Sequence, residues 1–126
     1  REHIIRAAQE SIAYQVADLA VAMEKDTGLA LTQIRADGGA SRDQFLMQFQ
    51  ADILHMPVIR PAIRETTALG AAFLAGLAVG IWKDVHQLTQ LWKYDTTFQP
   101  SMEQSNRARL LAQWHRAVER SRTWAK

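Results

Sequence analysis

The chain has 126 residues, enough for one domain with a modest core, and its 48% hydrophobic and 22% charged residues exclude a disordered segment. Fifteen basic and thirteen acidic residues leave a net charge of +2, which is not the composition of a polyanion binder. No cysteine is present, which rules out disulfides, thiolate metal sites and a cysteine nucleophile and is compatible with a reducing compartment.

The chain opens "REHIIRAAQESIAYQ", already inside an amphipathic pattern, with no signal peptide and no initiator methionine, as expected of a sequence cut from a longer one. Ile5, Ala8, Ile12, Val16, Leu19 and Met23 recur at steps of three or four and predict one buried face of a helix from about Glu2 to Lys25, stopped by Gly28. In "LTQIRAD", Ile34 and Ala36 alternate with polar neighbours, which predicts a short strand running into Gly38 and Gly39. Ser41 and Gln44 have capping-box spacing, so the next helix is expected to begin at Ser41 and to bury Phe45, Phe49 and Ile53.

"MPVIRP" places a short apolar run between two prolines and reads as a brief edge strand over Met56–Ile59. "TALGAAFLAGLAVGIW", Thr67 to Trp82, is shorter than the roughly 20 residues of a membrane-spanning helix and is read as a buried helix opened by Glu65, Thr66 or Thr67. Its Gly70, Gly76 and Gly80, with the surrounding alanines, favour close packing against another backbone. Asp84 is placed to cap a short helix through "VHQLTQLW", and "KYDTTFQP" reads as irregular. Ser101 and Gln104 repeat the capping-box spacing ahead of a final helix with Leu110, Leu111, Trp114 and Val118 on one stripe, reaching about Trp124.

Strand, helix and strand in that order imply a parallel pair with a right-handed crossover. Two short strands cannot cover three apolar helices, so the fold class expected is α/β, helix-rich, and part of a larger unit, with residues 1–126 as a single segment. No repeat or linker divides it.

Gly38 and Gly39 stand at a strand-to-helix corner. A corner of this kind is either a tight turn needing a positive backbone dihedral or a place where a nucleotide phosphate meets free N–H groups at the positive end of a helix dipole. It is neither a Walker A loop nor a complete dinucleotide fingerprint, so any lysine and Mg²⁺ ligands must come from elsewhere.

Asp37 ends the strand beside that corner and is a candidate for a role there, whereas Asp43, Asp52, Glu65 and Asp84 read as caps, turn formers or solvated carboxylates. His3, His55, His86 and His115 form no i, i+4 ligand pair, and no metal-ligand set is read from the sequence. From Ser101 onward, Arg107, Arg109, Arg116, Arg120, Arg122 and Lys126 face only Glu103 and Glu119. This is read as a solvated basic face rather than a nucleic-acid helix, with Trp114 packing instead of stacking on bases.

"DGGASRDQFLMQFQADIL", taken with the opening "REHIIRAAQESIAYQ", "RETTALGAAFLAGLAVGIW" and "FQPSMEQSNRARLLAQWHRAVERS", closely resembles the C-terminal part of the glycerol kinases of the FGGY carbohydrate kinase family, over essentially all 126 residues. The resemblance implies the C-terminal part of the second of two ribonuclease-H-like domains, the actin-like ATPase fold, on the nucleotide-binding side of the cleft. It implies a cytoplasmic enzyme that transfers the ATP γ-phosphoryl group to glycerol with Mg²⁺, giving glycerol 3-phosphate and ADP.

In that family the second glycine of DGGA contacts the nucleotide, here Gly39 beside Gly38, and an asparagine four residues later does so too. Here the asparagine position is Asp43, a departure, because a carboxylate accepts hydrogen bonds but donates none. The family's catalytic base, glycerol ligands and remaining phosphate loops lie upstream of the portion resembled. No catalytic residue is therefore assigned, and the chain alone is expected to be inert.

Some bacterial members are inhibited by a phosphotransferase-system protein at the segment corresponding to Pro100–Asn106, which makes such a regulator a candidate partner. Apolar faces left uncovered predict a homo-oligomer, and neither nucleic acid nor membrane is an expected partner. The competing reading is a non-catalytic helical interaction module in which the Gly-Gly corner is only structural.

Overall fold

The computed structural model describes residues 1–63 and 65–122. In chain order it contains α1 (Glu2–Thr27), β1 (Ile34–Arg35), a single 3₁₀ turn (Gly39–Arg42), α2 (Gln44–Leu54), β2 (Val58–Pro61), α3 (Thr66–Ala78), α4 (Val85–Gln90), β3 (Tyr94–Phe98) and α5 (Gln104–Ser121). The expected end of the last helix at Trp124 lies outside the described residues, as does Lys126.

α1 stops where expected: Gly28 takes a left-handed conformation at φ 68° and donates its N–H to the Glu24 carbonyl. The face it buries is not the expected one. Ala13, Tyr14, Ala17 and Ala20 are buried, while Ile5 (61% exposed), Ile12 (44%), Leu19 (59%) and Met23 (48%) are open, and only Val16 of that stripe packs on the core. The bulk of α2 explains the choice. Phe49 and Ile53 project from α2, and a ridge of alanines on α1 lets the two helices close on them, with Tyr14 edge-on to Phe49 at 5.6 Å between ring centroids.

The sheet has the order β1-β2-β3. β1 runs parallel to β2, with Ile34 opposite Val58 and Arg35 opposite Ile59, as the strand, helix, strand order requires. The expected edge strand is in fact the central one and lies at Val58–Pro61, with all four residues buried. It acquires a second neighbour from the segment expected to be irregular, since Tyr94–Phe98 pairs with it antiparallel. The missed signal was "YDTTF", rich in β-branched and aromatic residues. Pro61 is accommodated by a register irregularity between Arg60 and Pro61 at the strand's end, so its missing N–H interrupts no regular ladder.

The core lies where α1, α2, β2 and Phe98 meet, and Ile53 and Val58 are fully enclosed. Phe49 and Ile53 are buried and Phe45 half-buried, as the α2 periodicity predicts. α3 departs most from expectation, for only Gly76 is buried and the rest is exposed or half-buried, with Leu74 at 70%. Its packing is local: the Trp82 ring folds back over Gly76 and meets Phe73 edge-on at 5.3 Å.

Asp84 caps α4 as expected, accepting from Gln87 N–H at 2.9 Å. α5 begins at Gln104 and lacks a side-chain cap, and Ser101 turns instead to Asp52 on α2. Leu110, Leu111 and Trp114 pack along the core's edge, Trp114 stacking on Tyr14 at 5.3 Å.

Candidate functional site: the glycine corner

The corner joins β1 to α2. Gly38 has φ 78° and ψ −173°, a region essentially reserved for glycine, and Gly39 and Ala40 behind it are exposed. A Cβ at Gly39 would meet no atom within 4 Å, so backbone and open space adjoin there. In a 3₁₀ turn the first N–H groups, here those of Gly39 and Ala40, have no acceptor within the turn.

The expected helix start at Ser41 is corrected. Ser41 is buried within the 3₁₀ turn and its hydroxyl donates to the Gly38 carbonyl at 2.8 Å. The cap of α2 is Asp43, whose Oδ1 accepts from Leu46 N–H at 3.0 Å. Asp outranks a serine two residues earlier because its charge also complements the helix dipole. The amino end of α2 therefore already carries a carboxylate, and the amides open to an anion are those of the turn.

Every polar group of Asp43 has a protein partner. Gln9 of α1 donates to Oδ2, the backbone N–H donates to the Ala40 carbonyl at 3.1 Å, and the carbonyl accepts from Met47 N–H at 3.1 Å. Asp37, on the other side of the glycines, accepts from the hydroxyl of Thr66, the first residue of α3. Gly38, Gly39, Asp37 and Asp43 are thus one constellation held by α1, the sheet and α3.

Arg60 completes it and was not singled out from the sequence. Its side chain is buried, with Nη1 donating to the Ser41 carbonyl at 3.1 Å. The other end of the guanidinium binds Asp95 Oδ2 at 2.8 Å and Thr96 Oγ1 at 3.1 Å, over the ring of Phe98. The one available signal was a charged residue inside a short apolar run, "VIRP".

The remaining candidates lie elsewhere. His115 pairs with Asp18 at 2.9 Å, and His55 closes α2 in a left-handed conformation. Among the described residues no three His, Cys, Asp or Glu gather as a metal site. On α5, Arg109 donates to Asn106 and, just past its end, Arg122 pairs with exposed Glu119, whereas Arg107 is no part of a solvated face: it donates to the Ile53 carbonyl at 2.7 Å and ties the helix to α2. Among the described residues no helix is long and apolar enough to cross a membrane.

Residues 1–79 match the C-terminal domain of the FGGY family of carbohydrate kinases. The chain belongs to that family. It is 61% identical over 125 residues to the glycerol kinase of Dechloromonas aromatica, covering 99% of this chain and 25% of that protein. It is 56% identical over 126 residues to glycerol kinase 2 of Thermotoga maritima, again spanning 25% of the relative. Among solved structures, Plasmodium falciparum glycerol kinase with ADP superposes with a TM-score of 0.81 at 36% identity, over 94% of this chain and 24% of that one. A xylulose kinase from Lactobacillus acidophilus, at 24% identity and a TM-score of 0.78, shares the fold.

The chain thus spans about a quarter of the length of the relatives it matches. Its architecture is the helix-rich α/β arrangement of the C-terminal part of the ribonuclease-H-like, actin-like ATPase domain in these FGGY kinases.

Proposed function

We propose that residues 1–126 form one segment of the nucleotide-binding side of an ATP-dependent glycerol kinase, within the second FGGY domain. The reaction is transfer of the γ-phosphoryl group of ATP to glycerol, yielding ADP and glycerol 3-phosphate. One observation carries the reading: in a chain so similar to glycerol kinases, the Gly38–Gly39 corner presents backbone without side chains, half-buried at Gly38 and exposed at Gly39.

Gly39, with Gly38 setting the turn, brings backbone N–H groups to the nucleotide's phosphates. Asp43, as an acceptor, suits a hydroxyl or amino group of the nucleotide and disfavours a phosphate. Mg²⁺ usually takes one or two carboxylates plus substrate phosphates, and its protein ligands are assigned mostly outside this chain, with the upstream phosphate loops. The base and the glycerol site are assigned there too, and the chain alone is inert. The location is cytoplasmic, where ATP is available.

The bare faces of α1 and α3 favour a homo-oligomer, checked by sedimentation across a concentration series: a strictly monomeric chain at high concentration rejects it. Pro100–Asn106, whose backbone is fixed by Asp52, is the place for a phosphotransferase-system regulator.

The test is an amide NMR titration with Mg-ATP at millimolar levels. Shifts confined to Gly38, Gly39, Ala40 and Asp43 support the nucleotide site. A well-folded chain without shifts sinks it for the isolated chain and favours the interaction module. Glycerol-dependent ATP consumption by the pure chain would overturn the assignment of the base elsewhere.

A further inference from the structure

Both ends of the glycine corner are tied to consecutive residues of β2. Before the glycines, Ala36 donates its N–H to the Ile59 carbonyl at 3.0 Å, and after them the Ser41 carbonyl accepts from Arg60 Nη1 at 3.1 Å. Between these two ties lie Asp37, Gly38, Gly39 and Ala40, the residues that form the open shelf. The first tie is an ordinary continuation of the parallel β1-β2 ladder. The second is made by a buried side chain that reaches off the strand, and it has no equivalent in backbone pairing.

We infer that Arg60 is a positioning residue for the glycine corner, holding the 3₁₀ turn at a fixed height above the sheet so that its amides face the nucleotide. The inference rests on the nucleotide reading of that corner.

The chemistry of arginine fits the task. A guanidinium is a planar fork with five N–H donors, so one side chain can hold Asp95 and Thr96 of β3 on one edge and the Ser41 carbonyl on another without changing rotamer. Asp95 and the Phe98 ring keep the charge in place, and the carboxylate neutralises it. Arg60 is therefore a strut between sheet and turn, and its paired charge makes it a poor direct ligand for phosphate. Such preorganisation matters because a flexible glycine loop loses conformational entropy on binding, which weakens the complex unless the fold has already removed that freedom.

Lysine in place of Arg60 keeps the charge but has no fork to span both partners. The experiment compares amide hydrogen exchange and Mg-ATP titration in the unmodified chain and in Arg60→Lys. Exchange at Ser41 and Asp43, whose N–H groups are bonded inside the turn, is expected to rise about tenfold, the loss of one charge-assisted hydrogen bond, and nucleotide affinity to fall by a similar factor. Amides of Val58 and Phe98 should keep their rates.

Unchanged exchange at Ser41 and Asp43, or acceleration spread evenly over Val58 and Phe98, overturns the inference. If Arg60→Lys does not fold, Asp95→Asn leaves Arg60 in place with a weaker anchor and should accelerate the same two amides to a smaller degree; unaltered rates there also overturn it. A lack of Mg-ATP shifts in the unmodified chain defeats the nucleotide reading alone, because the exchange measurement judges the strut without any ligand.

Discussion

Asp52 Oδ1 lies 2.6 Å from the backbone nitrogen of Ser101. The same oxygen accepts from Met102 N–H at 3.1 Å, the Ser101 hydroxyl at 3.2 Å and Gln48 Nε2 at 3.1 Å, so one buried carboxylate of α2 anchors the whole approach to α5. Asp52→Ala leaves two backbone donors without their acceptor and is expected to lower stability by about 2–3 kcal/mol. Asp52→Asn keeps an acceptor oxygen but loses the charge, and about 1 kcal/mol is expected. Urea denaturation measures both. Equal losses would mean that packing rather than hydrogen bonding holds α5.

That anchor also shows where a local pattern stops being informative. Ser41/Gln44 and Ser101/Gln104 have the same spacing, and neither serine caps its helix. Ser41 is displaced by a better cap two residues on, a competition visible in the sequence. Ser101 is taken by an acceptor 49 residues away, which no spacing reveals.

α1 carries two helical stripes, one of large residues and one of alanines. Only the bulk of the α2 side chains selects the smaller. The corner was legible as a turn, because two adjacent glycines after a strand mark one, and Gly38 does take a positive φ. Arg60 was not, since its role depends on a strand, β3, whose pairing is long-range.

The two glycines should separate stability from binding. Gly38→Ala forces a side chain into a glycine-only conformation at a cost of about 1–3 kcal/mol. Gly39 has no such dihedral and has open space around it, so Gly39→Ala should change stability by no more than about 0.5 kcal/mol. Its methyl group nevertheless occupies the shelf, and Mg-ATP shifts at Ala40 and Asp43 should be lost. Thermal unfolding together with the titration reads both effects. Intact nucleotide shifts in Gly39→Ala would remove Gly39 from the site.

Tyr14 supplies a pH dependence. Burial between Phe49 and Trp114, reinforced by the nearby Glu10 charge and opposed by Arg109 and Arg6, holds its phenol above the ordinary tyrosine range. The folded chain then keeps this proton at pH values where the unfolded chain has released it. The contribution is complete below the unfolded value of about 10 and is lost as pH rises from there through the folded value. Stability is therefore expected to fall above about pH 10, and Tyr14→Phe should flatten that limb. Urea midpoints at pH 8 and 10.5 test it; an equal alkaline loss in both proteins excludes Tyr14 as the cause.

Gly76 and Gly70 lie in the same helix and should answer oppositely to alanine. A Cβ on Gly76 would collide with the Trp82 ring, which also packs edge-on against Phe73. Gly76→Ala must push that ring away, so the Trp82 indole resonance and the Phe73 ring shifts should move. At Gly70 an added methyl would have no neighbour within 4 Å, and the residue sits inside α3, so alanine there favours the helix by up to about 1 kcal/mol. Because α3 stands largely clear of the core, neither change should alter exchange at Ile53 or Val58. An unmoved Trp82 in Gly76→Ala would show that the ring does not rest on the helix in solution, and α3 would then end without its aromatic lock.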